Sequence, residues 1–105
     1  MRAAVIFMNG FEEVEGLTVV DMLRRLDITC DIVGKTSEVT GAHSITIKSD
    51  RLLEEIKSEE YNAVILPGGL PGATNLRDDE KVITILKEMN NGSMQNRYTK
   101  GYQIP

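Results

Sequence analysis

Two uninterrupted apolar runs, Arg2 to Met8 and Ala63 to Leu66, interrupt a chain whose apolar and polar residues otherwise alternate over short distances. Runs with no polar side predict strands buried on both faces, as in the middle of a parallel sheet. Each stops at a glycine break, Asn9-Gly10 after the first and Pro67-Gly68-Gly69 after the second. From Phe11 to Leu26 the period becomes helical, with Val14, Leu17, Val20 or Met22, Leu23 and Leu26 expected on the core side. Glutamates open this helix and Arg24 and Arg25 close it, which suits the helix dipole. Ile28 to Val33 predicts a second short strand, closed by Gly34.

Thr36 to Asp50 changes character, because Ile45 and Ile47 alternate with Thr46 and Lys48 beyond a turn-like Val39 to Ser44, the pattern of a half-exposed antiparallel hairpin. Leu52, Leu53 and Ile56 within Asp50 to Glu60 predict a second helix. After the second glycine break, Asp78 or Asp79 is placed to cap a third helix carrying Val82, Ile85, Leu86 and Met89, which Asn91-Gly92 would end. In Ser93 to Pro105 the residues Met94, Tyr98, Tyr102 and Ile104 fall on alternate positions. That stretch reads either as a one-faced edge strand or as a disordered or fused tail. The order of elements is that of an α/β fold with a mostly parallel sheet, in which strand order 2-1-3 makes the two apolar runs neighbours.

Composition narrows the function classes. The 105 residues carry 12 Lys and Arg against 16 Asp and Glu, a net charge of −4, with no basic run, so nucleic acid is not an expected partner. No apolar run approaches the roughly 20 residues that span a bilayer. The single cysteine, Cys30, excludes an intrachain disulfide, and a chain that opens on an apolar strand fits a reducing cytoplasm. Cys30 lies inside the second strand and reads as a small buried apolar residue, and His43, near the hairpin tip, as a solvated side chain. One histidine and one cysteine on different elements give no metal-ligand spacing, and no cofactor is expected.

The candidate chemistry sits at the two glycine breaks. In an open parallel sheet ligands bind at the carboxyl ends of the strands. The Gly68-Gly69 turn can bring bare backbone N–H groups to a reacting oxygen there; glycines also serve a plain strand-to-helix connection. Glu15, in Gly10-Phe11-Glu12-Glu13-Val14-Glu15, would face the same crevice and could hold a proton; three glutamates also suit the start of a helix on charge alone. A phosphate site at the Gly68-Gly69 turn is a further reading, although neither G-x-G-x-x-G nor G-x-x-x-x-G-K-[ST] occurs.

GFEEVEGLTVVDMLRR, the EVTGAHSITI hairpin and LPGGLPGATNLRDD together resemble the ThiJ/PfpI superfamily, to which the Parkinson-disease deglycase and chaperone belongs. The branch it resembles is the small single-domain bacterial one often labelled thiazole monophosphate biosynthesis protein. The likeness runs from about Met1 to Asn91 and implies a flavodoxin-like sandwich, related to class I glutamine amidotransferases, that usually dimerises. It implies a site made of a glutamate, a reactive cysteine and backbone amides. The family glutamate falls on Glu15, protonated and bonded to the thiolate, and the family glycine turn falls on Gly68 and Gly69, whose amides would stabilise an oxyanion. The family's cysteine follows an apolar strand of the type A-A-I-C, which here would lie near Thr99 to Gly101, and the chain has none there. The expectation is therefore residues 1–92 as the amino-terminal part of such a domain and 93–105 as an atypical tail. A chain of this kind would be inactive in cysteine chemistry. The alternative is a non-catalytic, oligomerising or chaperone-like module, associating through the β-edge left open beside Ala63 to Leu66.

Overall fold

The computed structural model describes residues 1–90 in full and residues 98–101 as backbone. The first strand, β1 (Arg2–Phe7), shows why an unbroken apolar run is needed. Ala4 and Ile6 point to one side of the sheet and Val5 and Phe7 to the other, and all four are completely buried. Helix α1 (Glu13–Arg25) covers the Val5 and Phe7 side. The strand β2 (Thr29–Gly34) then returns parallel to β1, with Ala3 opposite Cys30 and Phe7 opposite Gly34. The hairpin β3 (Glu38–Thr40) and β4 (Thr46–Lys48) forms a separate antiparallel pair, as the alternation of its residues predicts. The short β5 (Arg51–Leu52) adds to β2. The second apolar run is β6 (Ala63–Leu66), parallel to β1 on its other side. Helices α2 (Gly72–Arg77) and α3 (Glu80–Met89) follow, and β7 (Tyr98–Gly101) lies parallel to β6. Among the described residues the sheet order is β5-β2-β1-β6-β7, with the expected 2-1-3 core at its centre.

Two apolar layers result. Ala4, Ile6, Val64, Val82, Ile85 and Met89 pack on the α3 side, and Phe7, Phe11, Val20, Cys30 and Val39 on the α1 side. Phe7 and Phe11 meet edge to face with ring centroids 4.8 Å apart. The third helix follows its sequence pattern: Val82, Ile85 and Met89 are buried and Leu86 partly so. Of the two capping candidates Asp79 takes the role, its Oδ1 accepting the amides of Lys81 and Val82 at 2.9 and 3.1 Å while its Oδ2 pairs with Lys35 at 2.8 Å.

The structure corrects three expectations. Residues 50–60 form no α-helix; β5 is followed by two 3-10 turns, Leu53–Glu55 and Ser58–Glu60, separated by extended residues at Ile56 and Lys57. A segment this short gains little from helix propensity. Burying both Leu53 and Ile56 and pairing Arg51 with the sheet wins instead. Val14 and Met22 of α1 and Leu26 at its C-cap face solvent at 72, 57 and 67% exposure, although the apolar period assigned Val14 and Leu26 inward and held Met22 as an alternative to Val20. Gly16 sets the phase: a Cβ there would collide with the Phe7 ring, so Gly16 and Val20 turn inward with Leu17 and Leu23 beside them. Finally, β6 has no open edge, because β7 covers it from Ala63 opposite Tyr98 to Leu66 opposite Gly101. The expected helix end at Asn91-Gly92 and the rest of the expected tail pattern lie outside the described residues.

Candidate functional site at the carboxyl ends of the central strands

Because β1 and β6 are parallel neighbours, the loops that leave them must pack against each other. Gly10, at φ +88°, lies so close to Pro71 that a Cβ would come within 2.5 Å of its ring. The carbonyl of Gly10 accepts the amide of Gly72 at 3.1 Å, and the side-chain amide of Asn75 donates to the Asn9 carbonyl at 2.8 Å. Gly69, at φ +101°, is pressed on the Glu12 backbone, where a Cβ would stand 2.6 Å from the Glu12 nitrogen. That amide in turn donates to the Gly68 carbonyl at 3.1 Å. Positive φ and direct backbone contact together leave glycine as the residue that fits here. The two stretches singled out in the sequence thus form one interlocked rim.

Glu15 lies one helical turn beyond Glu12 and is half-buried. Its Oε2 is enclosed and has no hydrogen-bond partner among the described residues. An enclosed carboxyl oxygen without a donor is unusual, since buried polar groups are nearly always paired.

The buried member of the glutamate trio is a different one, Glu13, at 3% exposure. Its Oε2 accepts the backbone amides of His43 and Ile45 at 2.7 and 3.2 Å, and its Oε1 lies 2.9 Å from the His43 ring Nδ1. Burial would raise the Glu13 pKa, but the His43 ring and the amides of Glu13, His43 and Ile45 outweigh it and bring the carboxyl down to about 2. The same contact, reinforced by Glu12, raises the pKa of His43. His43 is exposed as expected, yet it is anchored rather than free. Gly41 lies directly on the Glu13 side chain, and the Ala42 amide donates to the Phe11 carbonyl at 2.8 Å. Sequence reasoning missed this anchor. Its one signal was a glycine and a small residue at the hairpin tip, which leave backbone amides free to meet a carboxylate.

The ligand atoms of Glu12, Glu13 and His43 come within 4.8 Å of one another, a grouping that separation along the chain conceals. Both Glu13 oxygens already receive N–H donors, so the arrangement works as a hydrogen-bonded anchor. The helix that follows the glycine turn, α2, has only six residues.

Cys30 stands apart from this rim. Its partner in β1 is Ala3, whereas the rim begins beyond Phe7, opposite Gly34. At roughly 3.3 Å per residue the cysteine lies about 13 Å before the carboxyl end of its strand. It is 4% exposed among Val5, Phe7, Phe11, Val20 and Val39, and burial pushes its thiol up to about 11. Among the described residues no helix is long and apolar enough to cross a membrane.

Comparison with known proteins fits this geometry. The chain is 38% identical over 90 residues to the Parkinson disease protein 7 homolog of Danio rerio, an alignment covering 83% of this chain and 48% of that protein. It is 30% identical over 90 residues to a deglycase of Pyrococcus abyssi, covering 85% of this chain and 54% of that one. The oxidized DJ-1 structure of Toxoplasma gondii superposes with a TM-score of 0.85 at 26% identity, over 93% of this chain and 53% of that chain. The chain therefore spans about half the length of these relatives. The DJ-1/PfpI family model matches residues 1–95, nearly the whole chain, with the glycine-bound rim and strands β1 to β6 of the flavodoxin-like sheet inside the match. The chain belongs to the DJ-1/PfpI family.

Proposed function

We propose that the chain carries the crevice wall of a DJ-1/PfpI protein without the nucleophile, and that by itself it does not turn over carbonyl adducts or peptide-like bonds. In this reading Glu15 is the proton-holding partner of a cysteine that the chain lacks, and the Gly68 and Gly69 amides are donors to an oxyanion, a contribution typically of about 3 kcal/mol per donor. One observation carries the reading. Glu15 keeps an enclosed, unpartnered carboxyl oxygen at the rim, while the chain's one sulfur is buried about 13 Å before the carboxyl end of β2. Without a thiolate, covalent catalysis loses its central participant. The buried, unpaired Cys30 is compatible with a reducing cytoplasm.

The test is a glyoxalase and deglycase assay with reactive dicarbonyls on the purified chain and on Cys30→Ser. Background rates for both are expected. Robust turnover that survives Cys30→Ser would refute the reading.

A second reading, an oligomerising or chaperone-like module, is favoured by a specific surface. Val14, Thr18, Met22 and Leu26 recur every fourth residue on the outer side of α1, and all four are exposed. This stripe, rather than an open edge of β6, is the surface through which copies of the chain would associate.

A further inference from the structure

Elsewhere in the molecule, carboxylates that are drawn out of solvent meet a permanently charged side chain. Asp31 meets Arg2, Glu60 meets Arg51 and Asp79 meets Lys35, each at 2.7 or 2.8 Å. Such pairing offsets the cost of burying a charge. Glu13 is more deeply buried than any of these three and breaks the pattern. Among the described residues no lysine or arginine pairs with Glu13 or with its neighbour Glu12. The side chain that both approach is the His43 ring, whose Nδ1 lies 2.9 Å from Glu13 Oε1 and 3.7 Å from Glu12 Oε1. Two carboxylates thus converge at one spot with a single imidazole between them.

Two carboxylate oxygens and an imidazole nitrogen are a ligand set for a divalent transition cation. With ligand distances of about 2.1 Å, a separation of 2.9 Å subtends about 90° at a bound ion and one of 3.7 Å about 120°. Both angles suit neighbouring ligands of one ion. Glu13 is held for that role. Its Oε2 accepts the amides of His43 and Ile45, and a Cβ on Gly41 would stand 2.3 Å from its Cδ, so the carboxyl group cannot turn and Oε1 stays aimed at the ring. Backbone donors that orient a ligand in this way are the usual support of a metal site. Glu12, partly exposed, is the ligand that adjusts to close the cluster, whose ligand atoms lie within 4.8 Å of one another. The hydrogen bond between His43 and Glu13 is no obstacle, because a ring that carries its proton on Nε2 presents the Nδ1 lone pair to an ion.

We propose that Glu12, Glu13 and His43 form a binding site for a divalent transition cation of the zinc type, which joins the start of α1 to the hairpin tip. The imidazole nitrogen selects Zn²⁺ or Co²⁺ over Mg²⁺ and Ca²⁺, which prefer oxygen ligands alone. Three protein ligands leave the remaining positions of the ion to water. The inference uses neither Glu15 nor the Gly68-Gly69 amides, so it stands apart from the crevice reading.

The test is calorimetric titration of the untagged full chain with Zn²⁺, and absorption titration with Co²⁺, after dialysis against a chelator. One ion per chain is expected, with visible Co²⁺ bands that lack a sulfur charge-transfer component, and an excess of Mg²⁺ or Ca²⁺ should not compete. His43→Ala and Glu12→Gln each remove one ligand and should weaken binding roughly tenfold or more, whereas Cys30→Ser should leave it unchanged. Far-ultraviolet circular dichroism of each variant checks that the fold is retained. The amide resonances of His43 and Ile45 should shift on addition of Zn²⁺ to the wild-type chain. The proposal is overturned by absence of binding at a large excess of Zn²⁺, by unchanged affinity in either folded ligand variant, or by loss of binding in Cys30→Ser.

Discussion

At the scale of single residues, Glu13 and His43 give the site its pH dependence. Glu13 has its pKa lowered from the usual 4.5 to about 2, so its contribution to stability is complete above 4.5 and lost as the pH falls through about 2. His43 has its pKa raised above the usual 6.5, so its contribution is complete below 6.5 and lost as the pH rises through the raised value. The tie between α1 and the hairpin is strongest between these limits, from about pH 4.5 to 6.5. Amide exchange of His43 and Ile45, corrected for intrinsic rates, should show greatest protection there, and Glu13→Gln should reduce it. Equal protection in the variant would mean that the carboxylate does not hold the hairpin tip. The glycine bend after β6 was legible from the sequence because paired glycines after an apolar run mark a turn. Glu13 was not, because its partners, the His43 ring and the backbone amides of His43 and Ile45, lie 30 and 32 residues away along the chain.

At the scale of elements, the strands, the hairpin and α3 were read correctly, while the segment 50–60 and the inward side of α1 were not. The strands β1 and β6 and helix α3 follow their apolar runs closely. The segment 50–60 did not, since Leu53 and Ile56 can reach the core from 3-10 turns as well as from a helix. The phase of α1 depended on a contact between Gly16 and Phe7 that the helical period cannot reveal. That phase has a consequence for assembly. With Val14, Met22 and Leu26 turned outward, the chain should self-associate through α1, and Met22→Asp should shift sedimentation toward monomer by roughly tenfold or more in the dissociation constant. A wild-type chain that stays monomeric at high concentration would exclude the α1 stripe as an interface.

For the molecule as a whole, the layered fold explains where the candidate groups stand relative to one another. Parallel neighbours β1 and β6 bring Glu15 and the Gly68-Gly69 turn to one end of the sheet, and the same parallel register puts Cys30 near the other end. The family resemblance anticipated the rim from motifs, but β7 beside β6 was only one of two readings of a polar stretch whose pairing comes from the backbone. Whether the rim shares a site with the chain's one sulfur is measured most directly by the rate of alkylation of Cys30 in the folded chain across pH. The expected result is slow labelling near neutrality and an inflection at about 11, unchanged by Glu15→Gln. Rapid labelling at pH 7 that Glu15→Gln alters would contradict the account, for it would mean that Cys30 and Glu15 share one site.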